Sequence, residues 1–327
     1  MASKRQNVVR TIRYVGNRAN ARMLRRLGNM PIRFAPRQKQ GTMLFGLLPH
    51  QLPRERTLVT NILFIDVDGT LTTLVDGDQY IPPSALAGLI EARKRGALAY
   101  LCTGRSLAEA GTLGELPVDG IIGAGGGFVI SEGELVMHQI FSAEQLAQVE
   151  DAFAKLEVDY YFETNQGLYF SPTFLAQLGE LWSLSPESPF MEIVHPLAEA
   201  DRSEVNKISF HSARGARYED IEAALGADFH LVMASWGEAS TFSGEVMLPG
   251  VDKAMAIERL LDHLQLGEVR TFGFGDSMND AEMLQACDEA IVMGNARHGV
   301  ERYATFVTRD LLDDGFAHAL KHFGLIG

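Results

Sequence analysis

The sequence contains only two cysteines, Cys102 and Cys287, which are far apart in the chain and each lie in an apolar stretch. Two such cysteines exclude a disulfide framework and a cysteine-rich zinc site. The sequence also lacks an apolar run long enough to span a membrane and the uninterrupted apolar core of a secretory signal. With 46% apolar residues available for a core, we expect a globular, cytoplasmic protein.

Basic residues are scarce after the N-terminal extension. Residues 1–56 hold 13 of the 29 lysines and arginines but a single acid, whereas residues 57–327 carry 16 basic and 41 acidic residues. A body this acidic repels phosphate backbones, so we expect it to bind no nucleic acid. In the extension, apolar residues recur at helical spacing between Val8 and Leu27, and a Pro- and Gly-containing linker follows. We expect residues 1–56 to be disordered or to form an amphipathic helix that could contact a membrane surface or RNA, or act in targeting.

From Thr57 onward, strand patterns alternate with helix patterns. A strand that ends at Ile65 precedes a helix over 84–95, and a strand over 97–102 precedes a helix over 106–116. This alternation is typical of a doubly wound α/β fold, in which helices cover both faces of a mostly parallel sheet.

The pattern changes between residues 142 and 244, where short strands and helices suggest an inserted α+β module. The earlier alternation then resumes, with strands predicted at Val246–Leu248 and Val269–Phe274. We therefore predict a core formed by residues 57–141 and 245–327, with a cap over residues 142–244 inserted into it.

Polar residues follow three of the predicted core strands. Asp66 and Asp68 follow the first, Thr103, Gly104 and Arg105 follow the second, and residues 275–280 follow a later one. The carboxyl ends of parallel strands form the binding crevice of such sheets, so these groups should converge. Carboxylates close together need a cation, and an oxygen-rich set without clustered His or Cys favours Mg²⁺ over zinc. A hydroxyl and backbone N–H groups at a strand-to-helix turn suit a phosphate.

Four segments in order carry a family resemblance: residues 64–71 (FIDVDGTL), 101–105 (LCTGR), 250–253 (GVDK) and 273–280 (GFGDSMND). Together they resemble the motifs of the haloacid dehalogenase-like (HAD) phosphatases, and most closely the Cof-type subfamily IIB, which has a large cap between the second and third motifs. The resemblance extends over residues 57–327 and includes Asn295-Ala296 and Asp314-Gly315 near the end. It implies a Rossmann-like HAD core and a Mg²⁺-dependent phosphoric monoester hydrolase.

The resemblance also implies a role for each motif residue. Asp66 would form an aspartyl-phosphate, and Asp68 would donate and then accept the proton. Mg²⁺ would be held by the Asp66 carboxylate, the Asp68 backbone carbonyl and Asp276. The phosphoryl oxygens would contact Thr103, Gly104 and Lys253, and supporting roles would fall to Asn279 and Asp280.

Several residues have competing interpretations. Lys207 is a second candidate for the phosphate lysine, ranked behind Lys253 because it lies in the predicted cap. Asn279 is either a turn residue or a support for the metal site, and Arg105 could contact substrate.

Ser106, rather than Thr103, is expected to cap the following helix. We expect His195 and His211 to be ordinary cap residues.

The chain departs from the family pattern at Ala124-Gly125-Gly126-Gly127, where relatives carry an Asn-Gly pair before the cap. Gly125-Gly126 keeps the backbone freedom of that pair but loses its amide side chain, which puts any substrate contact made there in doubt.

Three functions are compatible with the sequence. The first is hydrolysis of small phosphate esters, with sugar phosphates expected first by resemblance. The second is a phosphomannomutase-like transfer of the phosphoryl group to a sugar. The third is a non-catalytic scaffold recruited by its basic tail, against which the intact acids argue. The motifs do not indicate the substrate or the oligomeric state.

Overall fold

The computed structural model describes residues 36–39, 42–45, 59–75, 78–182, 184–212, 216–233 and 242–327 of the 327-residue chain. The helix predicted between Val8 and Leu27 lies outside these residues. Of the basic extension, the structure describes a short hairpin, Pro36–Lys39 paired with Thr42–Phe45, where the sequence predicted only a linker.

The described strands are, in chain order, β1 (Pro36–Lys39), β2 (Thr42–Phe45), β3 (Thr60–Ile65), β4 (Thr73–Val75), β5 (Asp78–Tyr80), β6 (Leu98–Cys102), β7 (Gly120–Gly123), β8 (Phe128–Ser131), β9 (Glu134–His138), β10 (Asp159–Glu163), β11 (Leu168–Phe170), β12 (Val194–Pro196), β13 (Lys207–Ser212), β14 (His230–Met233), β15 (Phe242–Met247), β16 (Val269–Gly275), β17 (Glu289–Val292) and β18 (Phe306–Val307). The described helices are α1 (Pro83–Lys94), α2 (Leu107–Gly111), α3 (Ala143–Leu156), α4 (Pro172–Leu181), α5 (Tyr218–Leu225), α6 (Lys253–Leu264), α7 (Ala281–Ala286) and α8 (Gly315–His322). None of the helices in this described part of the chain combines the length and apolar character that a membrane crossing requires.

The larger sheet has the strand order β18-β17-β16-β3-β6-β7-β8-β9, in which the first six strands are parallel and the pairs β7-β8 and β8-β9 are antiparallel. Side chains on the central strand β3 alternate between the two faces. Leu63 and Ile65 pack in the cluster that includes residues of α1 and α8, whereas Ile62 and Phe64 pack in the cluster that includes residues of α6 and α7. Helices therefore cover both faces, as the doubly wound prediction requires.

The smaller sheet has the order β12-β11-β10-β13-β15-β14 and is antiparallel except between β11 and β12. One face packs against α3 and α5 through a cluster that contains Phe153, Ile208, Phe210 and Val246. Alternate residues of β13, Lys207 and Ser209, lie on the other face, which lines a cavity shared with the larger sheet. The fold class predicted from the sequence, a doubly wound α/β core with an inserted α+β cap, is confirmed.

Two elements differ from their predictions. The strand predicted at Val246–Leu248 is the end of β15, whose Val246 pairs with Ile208 and Leu231 in the smaller sheet. A short apolar run does not specify which sheet it joins, and here packing in the smaller core decided. We propose that the second core segment begins after Met247 instead of at residue 245. Helix α2 is also shorter than predicted, since it ends at Gly111 and Gly114 follows with a φ of 75°.

The turn between β7 and β8 packs against the residue before α6 and against the loop after β6. Gly126 has a φ of 109°, and a Cβ atom there would overlap with the backbone carbonyl of Asp252, just before α6. Ala124 N–H donates to the carbonyl of Arg105 at 2.8 Å, and Gly125 N–H donates to that of Thr103 at 3.1 Å. The glycines that depart from the family pattern therefore allow close backbone contacts.

We expect Gly126→Ala to destabilise the protein more than Gly96→Ala. Both glycines have a φ near 100°, which costs an L-residue about 1–2 kcal/mol, but a Cβ at Gly96 would meet no atom within 4 Å. The clash at Gly126 adds to that cost because a backbone atom must move. Urea unfolding of both variants measures the difference, and equal losses would contradict the close packing of this turn.

Candidate active site

The first two acids lie where β3 leaves the larger sheet. Asp66 N–H donates to the carbonyl of Phe274 on β16 at 3.0 Å, and the Asp66 side chain is buried. The chain then turns tightly, since the N–H groups of Leu71 and Thr72 both donate to the Val67 carbonyl. Asp68 is placed beyond the strand, with 61% of its side chain exposed in the cavity region. The two carboxylates thus occupy different environments.

Lys253 lies between two buried carboxylates. Its ammonium nitrogen is 2.8 Å from Asp66 Oδ1 and 2.6 Å from Asp280 Oδ1, and only 3% of the residue is exposed. Lys253 is the first residue of α6, and the preceding Asp252 caps this helix by accepting the N–H of Met255 at 2.7 Å. Burial lowers the pKa of Lys253, but Asp280 and Asp66 outweigh this effect and hold it well above its ordinary value. The lysine is therefore charged.

Asp280 holds the loop after β16 in place. Its Oδ2 accepts the backbone N–H groups of Asp276 at 3.0 Å and Ser277 at 3.1 Å, while its Oδ1 accepts the lysine. Both oxygens of Asp280 are thus occupied. These contacts agree with the supporting role that the family resemblance implies for Asp280, which stays a prediction.

Three carboxylates, Asp66, Asp276 and Asp280, lie so close that one oxygen from each falls within 4.8 Å of the others. Burial, reinforced by Asp280, raises the pKa of Asp66 well above its ordinary value. The same two causes raise the pKa of Asp276 to about 7, although Lys253 and Arg297 oppose them. Lys253 neutralises one negative charge, and the remaining excess is the electrostatic environment that a divalent cation relieves.

Gly69 allows the acids to approach one another. It has a φ of 91°, and a Cβ atom at this position would overlap with the Asp276 carboxylate. Asn295 Nδ2 donates to the Gly69 carbonyl at 2.7 Å, and its Oδ1 accepts the N–H of Leu311 at 2.9 Å. The sequence had indicated Asn295 only through family likeness and had assigned it no role; here it joins the turn after β3 to a later loop.

The second motif lies beside Asp66 at the end of β6. Thr103 is buried, and its Oγ1 accepts the N–H of Arg105 at 3.1 Å. The Arg105 guanidinium holds the Asp68 carboxylate through two contacts of 2.6 and 2.8 Å. As predicted, Ser106 caps α2, in a capping box with Glu109. Arg105 therefore contacts the proposed acid, a contact the sequence did not predict.

Asn279 lies at the rim of the cavity, where its Oδ1 accepts the hydroxyl of Ser277 at 2.6 Å. This bond places it in the turn after β16 and leaves its suggested support of the metal site a prediction. His211 is away from the cavity, with Nδ1 2.9 Å from Ser243 Oγ, and His195 packs on Tyr169.

The cavity over the acids has a volume of about 590 Å³ and lies between the two sheets. Its floor is formed by the motif residues, and its roof comes from the smaller sheet, the segment after α4, and two residues on and just after α2. Most roof residues belong to no motif and were therefore not predicted as site residues. The roof consists of Glu109, Thr112, Tyr161, Trp182, Leu184, Phe190, Lys207, Ser209, Gly244 and Glu245.

Lys207 does not lie beside the acids with Lys253. It is in the roof, where its ammonium nitrogen lies 2.6 Å from the Gly104 carbonyl, 2.9 Å from Glu245 and 3.2 Å from Glu163. The structure thus places Lys253, and not Lys207, between Asp66 and Asp280.

The fold and the site define an α/β protein with a carboxylate–lysine centre at the carboxyl edge of a parallel sheet, covered by a smaller antiparallel sheet. A family model described as haloacid dehalogenase-like hydrolase matches residues 63–320. The chain belongs to the haloacid dehalogenase-like hydrolases, and the family prediction made from the four motifs is confirmed.

Relatives and solved structures agree with this assignment. YkrA of Bacillus subtilis (strain 168) is 27% identical over 273 residues, which cover 82% of this chain and 99% of YkrA. The structure of BT1666 from Bacteroides thetaiotaomicron, described among phosphatases of the haloalkanoate (HAD) superfamily, has a TM-score of 0.68 at 24% identity and covers 86% of this chain and 99% of its own. The HAD subclass IIB sugar phosphatase BT4131 has a TM-score of 0.63 at 22% identity, with coverages of 81% and 100%.

We predict that the metal-free protein loses stability as the pH rises from about 4 to about 7. The folded protein binds more protons than the unfolded chain in this interval, because the pKa of Asp276 is raised from 3.8 to about 7. A divalent cation held by these carboxylates would bind their ionised form, so MgCl₂ should raise the melting temperature more at pH 8 than at pH 6. Thermal unfolding at both pH values, with and without MgCl₂, measures this difference.

Asp276→Asn should raise the melting temperature of the metal-free protein at pH 8 and remove most of the Mg²⁺ effect. The exposed Asp313→Asn is the matched control and should change neither quantity. An unchanged Mg²⁺ effect in Asp276→Asn would show that this carboxylate holds no cation.

Proposed function

We propose that the protein is a Mg²⁺-dependent phosphatase that hydrolyses small phosphorylated metabolites through an aspartyl-phosphate. The observation that carries this proposal is the arrangement of Asp66, with its carboxylate held by Lys253 at 2.8 Å, at the floor of the cavity between the two sheets. Membership of a hydrolase family and the phosphatase descriptions of BT1666 and BT4131 support it.

Asp66 is proposed as the nucleophile. Its carboxylate oxygen bonds to phosphorus while the bond from phosphorus to the leaving oxygen breaks, and water later cleaves the acyl phosphate to release inorganic phosphate. Lys253 keeps the Asp66 carboxylate in one orientation and offsets charge on the phosphoryl oxygens. The Thr103 hydroxyl and the Gly104 N–H complete the phosphate site in this proposal.

Asp68 is proposed as the acid and base. In the structure the Asp68 carboxylate is paired with Arg105. To act as the acid, Asp68 must separate from Arg105 and carry a proton, which it gives to the departing alkoxide. It then takes the proton of the attacking water. Its exposure in the cavity region gives it access to both the leaving oxygen and solvent.

The donor set fits Mg²⁺, since carboxylate oxygens cluster there, and Asp280 has both oxygens occupied by other groups. The carboxylates of Asp66 and Asp276 and the backbone carbonyl of Asp68 would hold the ion. When bound, it would offset the negative charge shared by nucleophile and phosphoryl group.

The leaving group is proposed to be a small metabolite, which a cavity of about 590 Å³ admits. In the roof, Tyr161 and Trp182 meet edge to face with ring centres 5.8 Å apart, and Glu245 supplies an acceptor nearby. A rigid apolar wall beside an acceptor suits the C–H face and hydroxyls of a sugar, in line with the description of BT4131 as a sugar phosphatase.

A screen of purified protein with MgCl₂ against a panel of phosphorylated sugars and other metabolites tests this proposal. Release of inorganic phosphate supports hydrolysis, whereas an isomerised sugar phosphate would indicate transfer to a sugar. No turnover of any member would overturn the proposal.

We predict that Asp66→Asn lowers kcat by roughly 10³-fold or more, because the amide oxygen is a poor nucleophile. Steady-state release of phosphate measures the loss, and circular dichroism checks that the fold is retained. The exposed Asp262→Asn on α6 is the matched control and should keep full activity. Near-normal activity in Asp66→Asn would exclude this residue as the nucleophile.

Deleting residues 1–56 should leave kcat unchanged within about threefold, because the described contacts of the site come from residues beyond 59. The comparison uses active-site-normalised rates of full-length and shortened protein. A fall of about tenfold or more would show that the extension belongs to the catalytic unit.

A further inference from the structure

Lys207 is a buried lysine whose ammonium group donates two hydrogen bonds and forms an ion pair with a third residue. The residue is 3% exposed, and its nitrogen lies 2.6 Å from the Gly104 carbonyl, 2.9 Å from Glu245 Oε1 and 3.2 Å from Glu163 Oε1. Two of these acceptors belong to the smaller sheet. The shortest contact is with the larger sheet, at the loop after β6.

The Gly104 carbonyl is part of the same peptide unit as the Arg105 N–H. That N–H donates to Thr103 Oγ1 at 3.1 Å. An unbroken series of hydrogen bonds therefore runs from the Lys207 ammonium through one peptide group to the Thr103 hydroxyl. A cation on the carbonyl polarises the peptide and strengthens the N–H as a donor.

The Thr103 hydroxyl has one hydrogen to donate. Because its oxygen accepts the Arg105 N–H, the orientation of the hydroxyl is restricted and its own hydrogen is left for another acceptor. Thr103 lines the cavity beside Asp66, so this hydrogen is available to a phosphoryl oxygen bound there.

We propose that Lys207 is a positioning residue of the phosphate site, acting through the Gly104–Arg105 peptide on the Thr103 hydroxyl. This inference rests on the proposed phosphatase function. In this proposal the smaller sheet does more than cover the cavity. Through Lys207, it also holds the loop after β6 in the conformation that binds phosphate.

A purely structural role for Lys207 is the competing explanation, since Glu163 is fully buried and needs a partner. Glu163 has another partner, however: Ser209 Oγ donates to its Oε1 at 2.6 Å. Burial also raises the pKa of Glu163 to about 8, although Lys207 opposes it. Glu163 therefore keeps a hydrogen-bond donor when the lysine is absent, whereas the Gly104 carbonyl is reached only by the Lys207 ammonium among the described side-chain contacts.

The experiment compares Lys207→Met, Glu163→Gln and the double variant Lys207→Met/Glu163→Gln. The double variant removes the ammonium together with the fully buried carboxylate, so it should fold even where Lys207→Met does not. Glu163→Gln is the matched control because it keeps the contact between Lys207 and Gly104. The readouts are kcat/KM with p-nitrophenyl phosphate and the inhibition constant of inorganic phosphate.

We expect both variants that lack Lys207 to weaken inhibition by inorganic phosphate about 10–100-fold, with a parallel fall in kcat/KM. Glu163→Gln should stay within about threefold of the wild type. In a Thr103→Val background, loss of Lys207 should have little further effect on phosphate inhibition, because the two residues act through one series of hydrogen bonds.

Equal effects of Lys207 loss with and without Thr103, or unchanged phosphate inhibition in an active enzyme, would overturn this inference and leave the proposed function intact. A wild-type protein that hydrolyses no phosphate ester would overturn both.

Discussion

The contact of Lys253 with Asp66 and Asp280 is the interaction on which the rest of the site depends. One ammonium group lies in a buried pocket where three carboxylates come together, and without it their mutual repulsion would add to the cost of desolvation. The lysine orients Asp66 directly. The lysine is also connected to the loop after β16, because Asp280 accepts the N–H groups of Asp276 and Ser277 in that loop.

The parallel sheet makes this contact possible. Strands β16, β3 and β6 are neighbours, so Asp276, Asp66 and Thr103 leave the sheet at the same edge although more than 200 residues separate the first two. Gly69 then lets the turn after β3 approach the Asp276 carboxylate closely. The remaining negative charge results from this convergence and from burial, and it raises the pKa of Asp276 to about 7.

The four motifs predicted the residues at the floor of the site but few of those in its roof. Asp66, Asp276, Asp280 and Lys253 come together as their order in the four motifs predicted, while their catalytic roles remain proposals. The sequence allows Lys207 as a second candidate for the phosphate lysine, but in the structure Lys207 lies in the smaller sheet and contacts the Gly104 carbonyl. That contact joins residues 103 positions apart in the sequence, and neither periodicity nor a local motif predicts a contact between such distant residues.

The family, the alternation of strands and helices and the buried acids could be predicted from the sequence, because each depends on short-range patterns along the chain. Three features could be read only from the folded structure: the sheet that Val246 joins, the pairing of Arg105 with Asp68, and the aromatic residues that cover the cavity. These outcomes depend on packing between distant segments, where many pairings are chemically acceptable and shape selects one. The sequence thus predicts that Asp66 and Asp68 belong to the site, whereas their different environments, one buried and one exposed beside Arg105, result from the fold.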